Sequence, residues 1–214
     1  MLHCNSSIDR AEKLADKLNG LRSNSAFVAQ ADLSLPDGIT SLSNAFRDRF
    51  DRLDVLVNNA SRFYPTRVGE TQAWQWDDLI NSNLRGPYFL VQALLPVLRT
   101  AGGSIINIVD IHAERPMANH GVYCISKAGL AMMTRAMASE LGPSVRVNGV
   151  SPGAILWPEN EEDDSARQAI LDRTVMGRIG EANDIASAVA YLSLDAPYVT
   201  GQILAVDGGR SLNM

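Results

Sequence analysis

The chain has 214 residues, 46% of them hydrophobic, and carries a net charge of −5 at neutral pH. That is enough material for a substantial core in a single domain over residues 1–214, and an acidic chain without a basic run excludes nucleic acid as an expected partner. No run of about 18 apolar residues exists to cross a membrane, no signal-peptide pattern opens the chain, and Cys4 and Cys124 lie apart from each other and from histidine neighbours, which disfavours a disulfide scaffold or a zinc site.

In chain order, Arg10 to Leu18 reads as a helix that Asn19-Gly20 should stop, since a left-handed residue is cheap there. Ala26 to Gln30 is a strand, followed by Asp32-Leu33-Ser34, and Pro36 to Phe50 is a helix. Leu53 to Val57 predicts a buried strand that delivers Asn58-Asn59-Ala60-Ser61 at its carboxyl end. A long helical pattern covers Trp74 to Leu98, with an irregularity expected at Gly86-Pro87. Its most apolar part, Tyr88 to Leu98, is interrupted by Gln92 and Pro96.

Ser104 to Val109 is the next buried strand and ends at Asp110. Val122 to Leu141 is a helix, and Val145 to Val150 a strand running into Ser151-Pro152-Gly153. The mixed, polar stretch from Ala154 to Ile179 has the character of an active-site lid, and the acidic cluster Glu159 to Asp164 within it that of a solvated turn. Asn183 to Leu192 is a helix and Ile203 to Val206 a last strand before Asp207-Gly208-Gly209. Strands alternating with helices, without repeats or linkers, predict an α/β fold: a doubly wound parallel sheet, Rossmann-like, with helices on both faces. In such sheets ligands bind beyond the carboxyl ends of the strands, where Asn59, Asp110 and Pro152-Gly153 all fall.

Tyr123 and Lys127 stand four residues apart on one helix, so both lie on the same face about a turn apart. An ammonium beside a phenol favours the tyrosinate and lowers its pKa, which suits a proton donor for carbonyl or imine reduction. A carboxylate at Asp110 would act in the opposite sense. Each residue also has a plainer use: Asp110 as a loop cap, Asn83 as a kink residue bonding helix backbone, Phe63 as core, and the Tyr-Lys pair as an ordinary exposed helix face.

Together these segments resemble the short-chain dehydrogenase/reductase family over essentially the whole chain. The similarity rests on Asn58-Asn59-Ala60, Asn83, Tyr123 with Lys127, and Pro152-Gly153. The run Asn58 to Pro65, Ile108-Val109-Asp110 and the ending Gly201 to Ser211 are similar to the pteridine reductase branch, which has aspartate where most of the family has serine. The resemblance implies catalytic roles for Asp110, Tyr123, Lys127 and Asn83, the last holding a water that links Lys127 to solvent. It implies cofactor contacts from Ser7, Asp32, Leu33, Asn59, Ala60, Ser61, Tyr123, Lys127, Pro152 and Gly153. A flat substrate would meet Ser61, Phe63, Asp110 and Tyr123, with Phe63 stacking on the ring.

The family's opening strand and its Thr-Gly-x-x-x-Gly-x-Gly turn have no counterpart in this sequence. Met1 to Cys4 resembles the end of the family's second strand, so the expected fold is N-terminally truncated by roughly one strand–helix unit of about 30 residues. The absent strand belongs between residues 1–4 and 53–57. No acid stands in His3-Cys4-Asn5-Ser6-Ser7 to repel a 2′-phosphate, which favours NADPH over NADH, although relatives carry arginine where this chain has Ser6.

The expectation is therefore an NADPH-dependent reductase of a dihydropterin or dihydrofolate. It would be cytoplasmic, with a small-molecule pterin-like substrate, no nucleic-acid, membrane or metal partner, and a homotetramer or homodimer assembled through its long helices. A reductase of a ketone or ketoacyl substrate and an inactive truncated remnant are the rivals.

Overall fold

The computed structural model describes residues 1–155 and 164–213. Its strands follow the β-branched and apolar runs of the sequence, but they fall into two groups. β1 (Leu2–Cys4) and β2 (Val28–Gln30) form a parallel pair. β3 (Val55–Asn58), β4 (Ser104–Ile108), β5 (Arg146–Pro152) and β6 (Ile203–Val206) form a four-stranded parallel sheet in that order. The helices are α1 (Ile8–Leu21), α2 (Pro36–Arg47), α3 (Ala73–Ile80), α4 (Gly86–Ala101), α5 (Gly121–Leu141), α6 (Asp164–Asp172) and α7 (Ala182–Ala190).

The period-2 alternation of strands divides the core. Ile105 and Val147 point to one face, where they pack with Leu90, Leu94 and Leu98 of α4 and Leu130 and Met137 of α5. Ile106 and Val150 point to the other, against Ala188 of α7 and Leu192. Helices on both faces of a parallel sheet are the α/β, Rossmann-like architecture expected.

The central strands are sealed and β3 is not. Ile105 and Ile106 are fully buried, whereas Val57 of β3 is 41% exposed. Among the described residues β3 pairs with β4 alone, and β1 with β2 alone. Between them lies a cavity of about 450 Å³, lined by Met1, Leu2 and His3 on one side and Val55 and Val57 on the other. The interruption of the sheet thus falls between residues 1–4 and 53–57.

Several boundaries shift for physical reasons. α1 runs through Asn19-Gly20 to Leu21, because the Asn19 side chain is engaged elsewhere: it accepts from the Ser25 and Ala26 amides (2.8 and 2.9 Å) and donates to the Ala26 carbonyl at 3.0 Å. α2 ends at Arg47, short of Phe50. The long helix breaks into α3 and α4 through a five-residue π-helical turn at Asn81–Arg85, just before the expected Gly86-Pro87. Pro87 has no N–H for the carbonyl four residues back, and the Gly86 amide donates to Asn81, five residues back. β5 includes Ser151 and Pro152, which pair with Ala205 and Val206. In the stretch read as a lid, α6 begins at Asp164; residues 156–163, which hold most of the acidic cluster, lie outside the described residues.

Candidate active site

Strand β4 and helix α5 bring the reactive groups together. Asp110 leaves β4 two residues after Ile108, and its Oδ1 accepts the His112 amide at 2.8 Å, which caps a short 3-10 turn and fixes the carboxylate. Its Oδ2 accepts the Tyr123 hydroxyl at 2.6 Å. One helical turn beyond, Lys127 reaches under the strand end and donates from Nζ to the Ile108 carbonyl at 2.9 Å. Tyr123 and Lys127 are 5% and 3% exposed, so the pair is no open helix face.

The electrostatics differ from the expectation for an isolated Tyr-Lys pair. Burial, then the negative charge and hydrogen bond of Asp110, push the Tyr123 phenol well above its ordinary value. Burial also lowers the Lys127 ammonium to about 8, against the opposing pull of Asp110. The expected depression of the phenol by Lys127 is overruled because Nζ points at a carbonyl, 5.8 Å from the tyrosine ring centre, while Asp110 is in direct contact. Tyr123 is therefore a neutral phenol donating to a carboxyl, above a lysine that is easily discharged.

The Asn-Asn-Ala-Ser-Arg-Phe segment leaves β3 toward this group. Phe63 stands edge-on to Tyr123, with ring centres 4.8 Å apart. One of its faces stacks on His120 at 4.7 Å and 9°, and the ring remains 55% exposed. It is thus a wall of the site rather than core. Asn83 holds the segment in place: its Oδ1 accepts the Arg62 amide at 2.8 Å, and its Nδ2 donates to the Arg62 carbonyl at 2.9 Å and to Ser126 Oγ at 3.1 Å. Ser61 Oγ also donates to Asn83 at 3.3 Å. None of these side-chain bonds reaches Lys127.

The residues expected at a cofactor are divided. Asn59, Pro152 and Gly153 line one large cavity of about 910 Å³ together with Ile108 at the end of β4. Gly153 packs so tightly that a Cβ would stand 2.7 Å from Asp207 Cα. Asn59, Ala60 and Ser61 are exposed at the mouth of β3. Ser7, at the start of α1, is exposed and makes no side-chain cap bond. Asp32 accepts the Ser34 amide and hydroxyl (2.8 and 2.6 Å) and pairs with Arg62 at 3.2 Å; burial alone would raise its pKa, but these partners hold it below the ordinary value. The Leu33 side chain is buried in the core while also lining the cavity beside β1.

Three participants carried no sequence signal of their own. Arg62 forms ion pairs with both Asp32, 30 residues before it, and Asp78 of α3, 16 residues after it, a bridge that no local pattern reveals. His120 and Ser126 flank Tyr123 on α5 and at its start, and are recognisable only once Phe63 and Asn83 are placed against them.

Comparison with known proteins agrees with this architecture. The family model described as enoyl-(acyl carrier protein) reductase matches residues 3–211. The chain belongs to this family, that of the short-chain dehydrogenase/reductases, and is an NAD(P)-dependent oxidoreductase. It is 37% identical to the dihydromonapterin reductase of Klebsiella pneumoniae over 91% of this chain and 82% of the relative. It is 34% identical to pteridine reductase 1 of Leishmania tarentolae, with 99% and 87% covered, and 36% identical to the 3-oxoacyl-[acyl-carrier-protein] reductase FabG of Thermotoga maritima, with 81% and 72% covered. A solved short-chain alcohol dehydrogenase structure from Sinorhizobium meliloti superposes with a TM-score of 0.91 at 25% identity, over 99% of this chain and 86% of the other.

Proposed function

We propose that the protein is an NADPH-dependent pteridine reductase acting on a dihydropterin or dihydrofolate. The hydrogen bond of 2.6 Å between Tyr123 and Asp110 carries this reading. A pterin edge presents ring nitrogens beside an amino group, so it needs an acceptor and a proton donor side by side. Asp110 is the acceptor and Tyr123 the donor. Phe63, with one face on His120 and more than half its surface open, offers the stacking surface for a flat bicyclic ring. The relatives named dihydromonapterin reductase and pteridine reductase support the substrate class.

Asn59, Pro152 and Gly153, at the carboxyl ends of β3 and β5, are the residues that would hold a nicotinamide. The cavity of about 910 Å³ opens there beside Asn59, Pro152 and Gly153, with Tyr123 and Lys127 buried next to the end of β4. Bound NADPH supplies a hydride to the substrate carbon. Tyr123 would turn its hydroxyl proton from Asp110 to the neighbouring nitrogen and regain a proton from solvent through the Asp110 carboxyl. Lys127 would face the ribose side and its positive charge would offset the phenolate, and Asn83 keeps Ser61 and Arg62 in register. Ser7, Asp32 and Leu33 are our candidates for the adenine side. The lack of an acid within His3-Cys4-Asn5-Ser6-Ser7, at the end of β1, favours NADPH over NADH.

A second reading, reduction of a ketoacyl substrate, is favoured by the likeness to FabG and needs only Tyr123 and Lys127. NADPH consumption with dihydrobiopterin and with acetoacetyl-coenzyme A separates the two. We expect turnover of the pterin and its loss in Asp110→Ser; pterin reduction that survives this change, or activity on the thioester alone, removes the pteridine reading.

A further inference from the structure

The turn that follows β6 places beside the site a cation, Arg210, that makes no ion pair among the described residues. Gly208 and Gly209 have φ values of 61° and 78°, and a Cβ on either would stand 2.9 Å from Thr174 or Val175. This close approach sets Arg210 next to the segment that carries Arg173. Arg210 also lies within electrostatic reach of Asp110 and Asp207. Asp110 and Ser211, the neighbour of Arg210, line one cavity of about 70 Å³.

Both nearby carboxylates attract Arg210 from a distance, but neither pairs with it. Asp207 accepts the Gly209 amide at 2.9 Å and the Ser211 amide at 2.8 Å. Asp110 is held by the His112 amide and the Tyr123 hydroxyl. Among the described residues Arg210 makes no ion pair, and its Nε is buried without an acceptor. Burial and the like charge of Arg173 both work against the guanidinium. A half-buried cation near a second cation, with the described acids beside it, Asp110 and Asp207, engaged in other bonds, can take an oxyanion.

We propose that Arg210, backed by Arg173, is a specificity residue that binds an oxyanion, a carboxylate or a phosphate, carried on the tail of the substrate reduced at Asp110 and Tyr123. The substrate class narrows to pterins with an anionic tail, in preference to those with a neutral one. This rests on the pterin reading above, and its test separates the two.

Equilibrium binding of dihydrofolate (carboxylate tail), dihydroneopterin phosphate (phosphate tail) and dihydrobiopterin (neutral tail) is measured on the full chain and on Arg210→Met. The wild type should bind at least one anionic ligand about ten-fold or more tightly than the neutral one, the size expected for a charged hydrogen bond. Which of the two gains identifies the source of the oxyanion. Arg210→Met should abolish the preference and leave the neutral ligand within about two-fold, while Arg210→Lys restores part of it; the latter guards against a folding defect in the former. Equal binding of all three ligands, no binding of any, or a preference that survives Arg210→Met would overturn the proposal. If the preference is present but no pterin is reduced, the pteridine reductase reading fails and the oxyanion site stands.

Discussion

Strands β3 and β4 are neighbours, paired from Val55 with Ser104 to Asn58 with Asn107, yet their surroundings contrast. β4 has a partner on each side, and its Ile105 and Ile106 are fully buried. Beyond it, Asp110, Tyr123 and Lys127 are held by bonds of 2.6 to 2.9 Å. β3 has one partner, faces a cavity of about 450 Å³ on its free edge, and presents Asn59, Ala60 and Ser61 to solvent. A strand paired on both sides fixes the direction of each side chain and can aim a functional group; an edge strand aims its backbone at whatever pairs with it next. The half around Asp110, Tyr123 and Lys127, proposed to handle protons, is fixed by bonds among the described residues, and the half beside β3, proposed to meet the nucleotide, is open.

The largest expected effect probes that contrast directly. Tyr123→Phe removes the proposed proton donor and, on the pterin reading, should lower kcat for dihydropterin reduction by about 10²–10⁴-fold, the usual share of a general acid. Ser7→Ala, at the open half, should change kcat by less than about three-fold, since its hydroxyl makes no cap bond that the fold depends on. Steady-state kinetics on the two variants, with far-ultraviolet circular dichroism as the folding control, checks this. Similar losses in both would erase the distinction between the halves.

Lys127 is the next test. Its ammonium has its pKa lowered to about 8 by burial, from 10.5 in the unfolded chain. Between those values the folded chain binds fewer protons than the unfolded one, so stability rises with pH across the window. Below about pH 8 the full penalty of the buried cation applies. Lys127→Met removes it, together with the hydrogen bond to Ile108, and should stabilise the protein by about 2 kcal/mol at pH 7. The advantage should shrink toward pH 10.5. Urea unfolding at pH 7, 8.5 and 10 reads it directly, and a pH-independent difference would mean that the ammonium is solvated.

The same contrast explains what could be read from the sequence. The residues around β4 and α5 are local: a buried β-branched run ending at Asp110, and Tyr123 and Lys127 one turn apart, are legible without knowing the fold. The break between β1 and β3 was legible too, because no glycine-rich turn occurs in the sequence. The sign of the Tyr123 shift was not, since it depends on how deeply the pair is buried and on Lys127 choosing the Ile108 carbonyl. Nor was the role of Asn83: a helix pattern shows that the residue faces inward, but not that both edges of its amide close on the backbone of Arg62, 21 residues away.

Gly86→Ala should have a smaller effect, on the open half. The added Cβ would meet the Leu33 carbonyl at 2.6 Å, where the start of α4 passes the loop after β2. Gly to Ala usually favours a helix, so the sign decides whether this approach is tight. Overpacking should win by roughly 1–2 kcal/mol, seen as a lower urea midpoint. A stabilised variant would show that the loop carrying Asp32 and Leu33 yields to α4.

Arg62→Met should have the smallest effect and is the most informative about how the halves are joined. The guanidinium pairs with Asp32 in the open half and with Asp78 of α3, next to the helical turn that holds Asn83. These side chains are between 23% and 31% exposed, so solvent screens the pairs and their loss should lower stability by less than about 1 kcal/mol. The bonds from Asn83 go to the main chain of residue 62 and survive the substitution. kcat should therefore stay near the wild-type value while the affinity for NADPH falls slightly, because Asp32 keeps its Ser34 bonds but loses its link to the Phe63 segment. A fall in kcat with unchanged nucleotide binding would place the Arg62 side chain on the proton-handling side and break the division between the two halves.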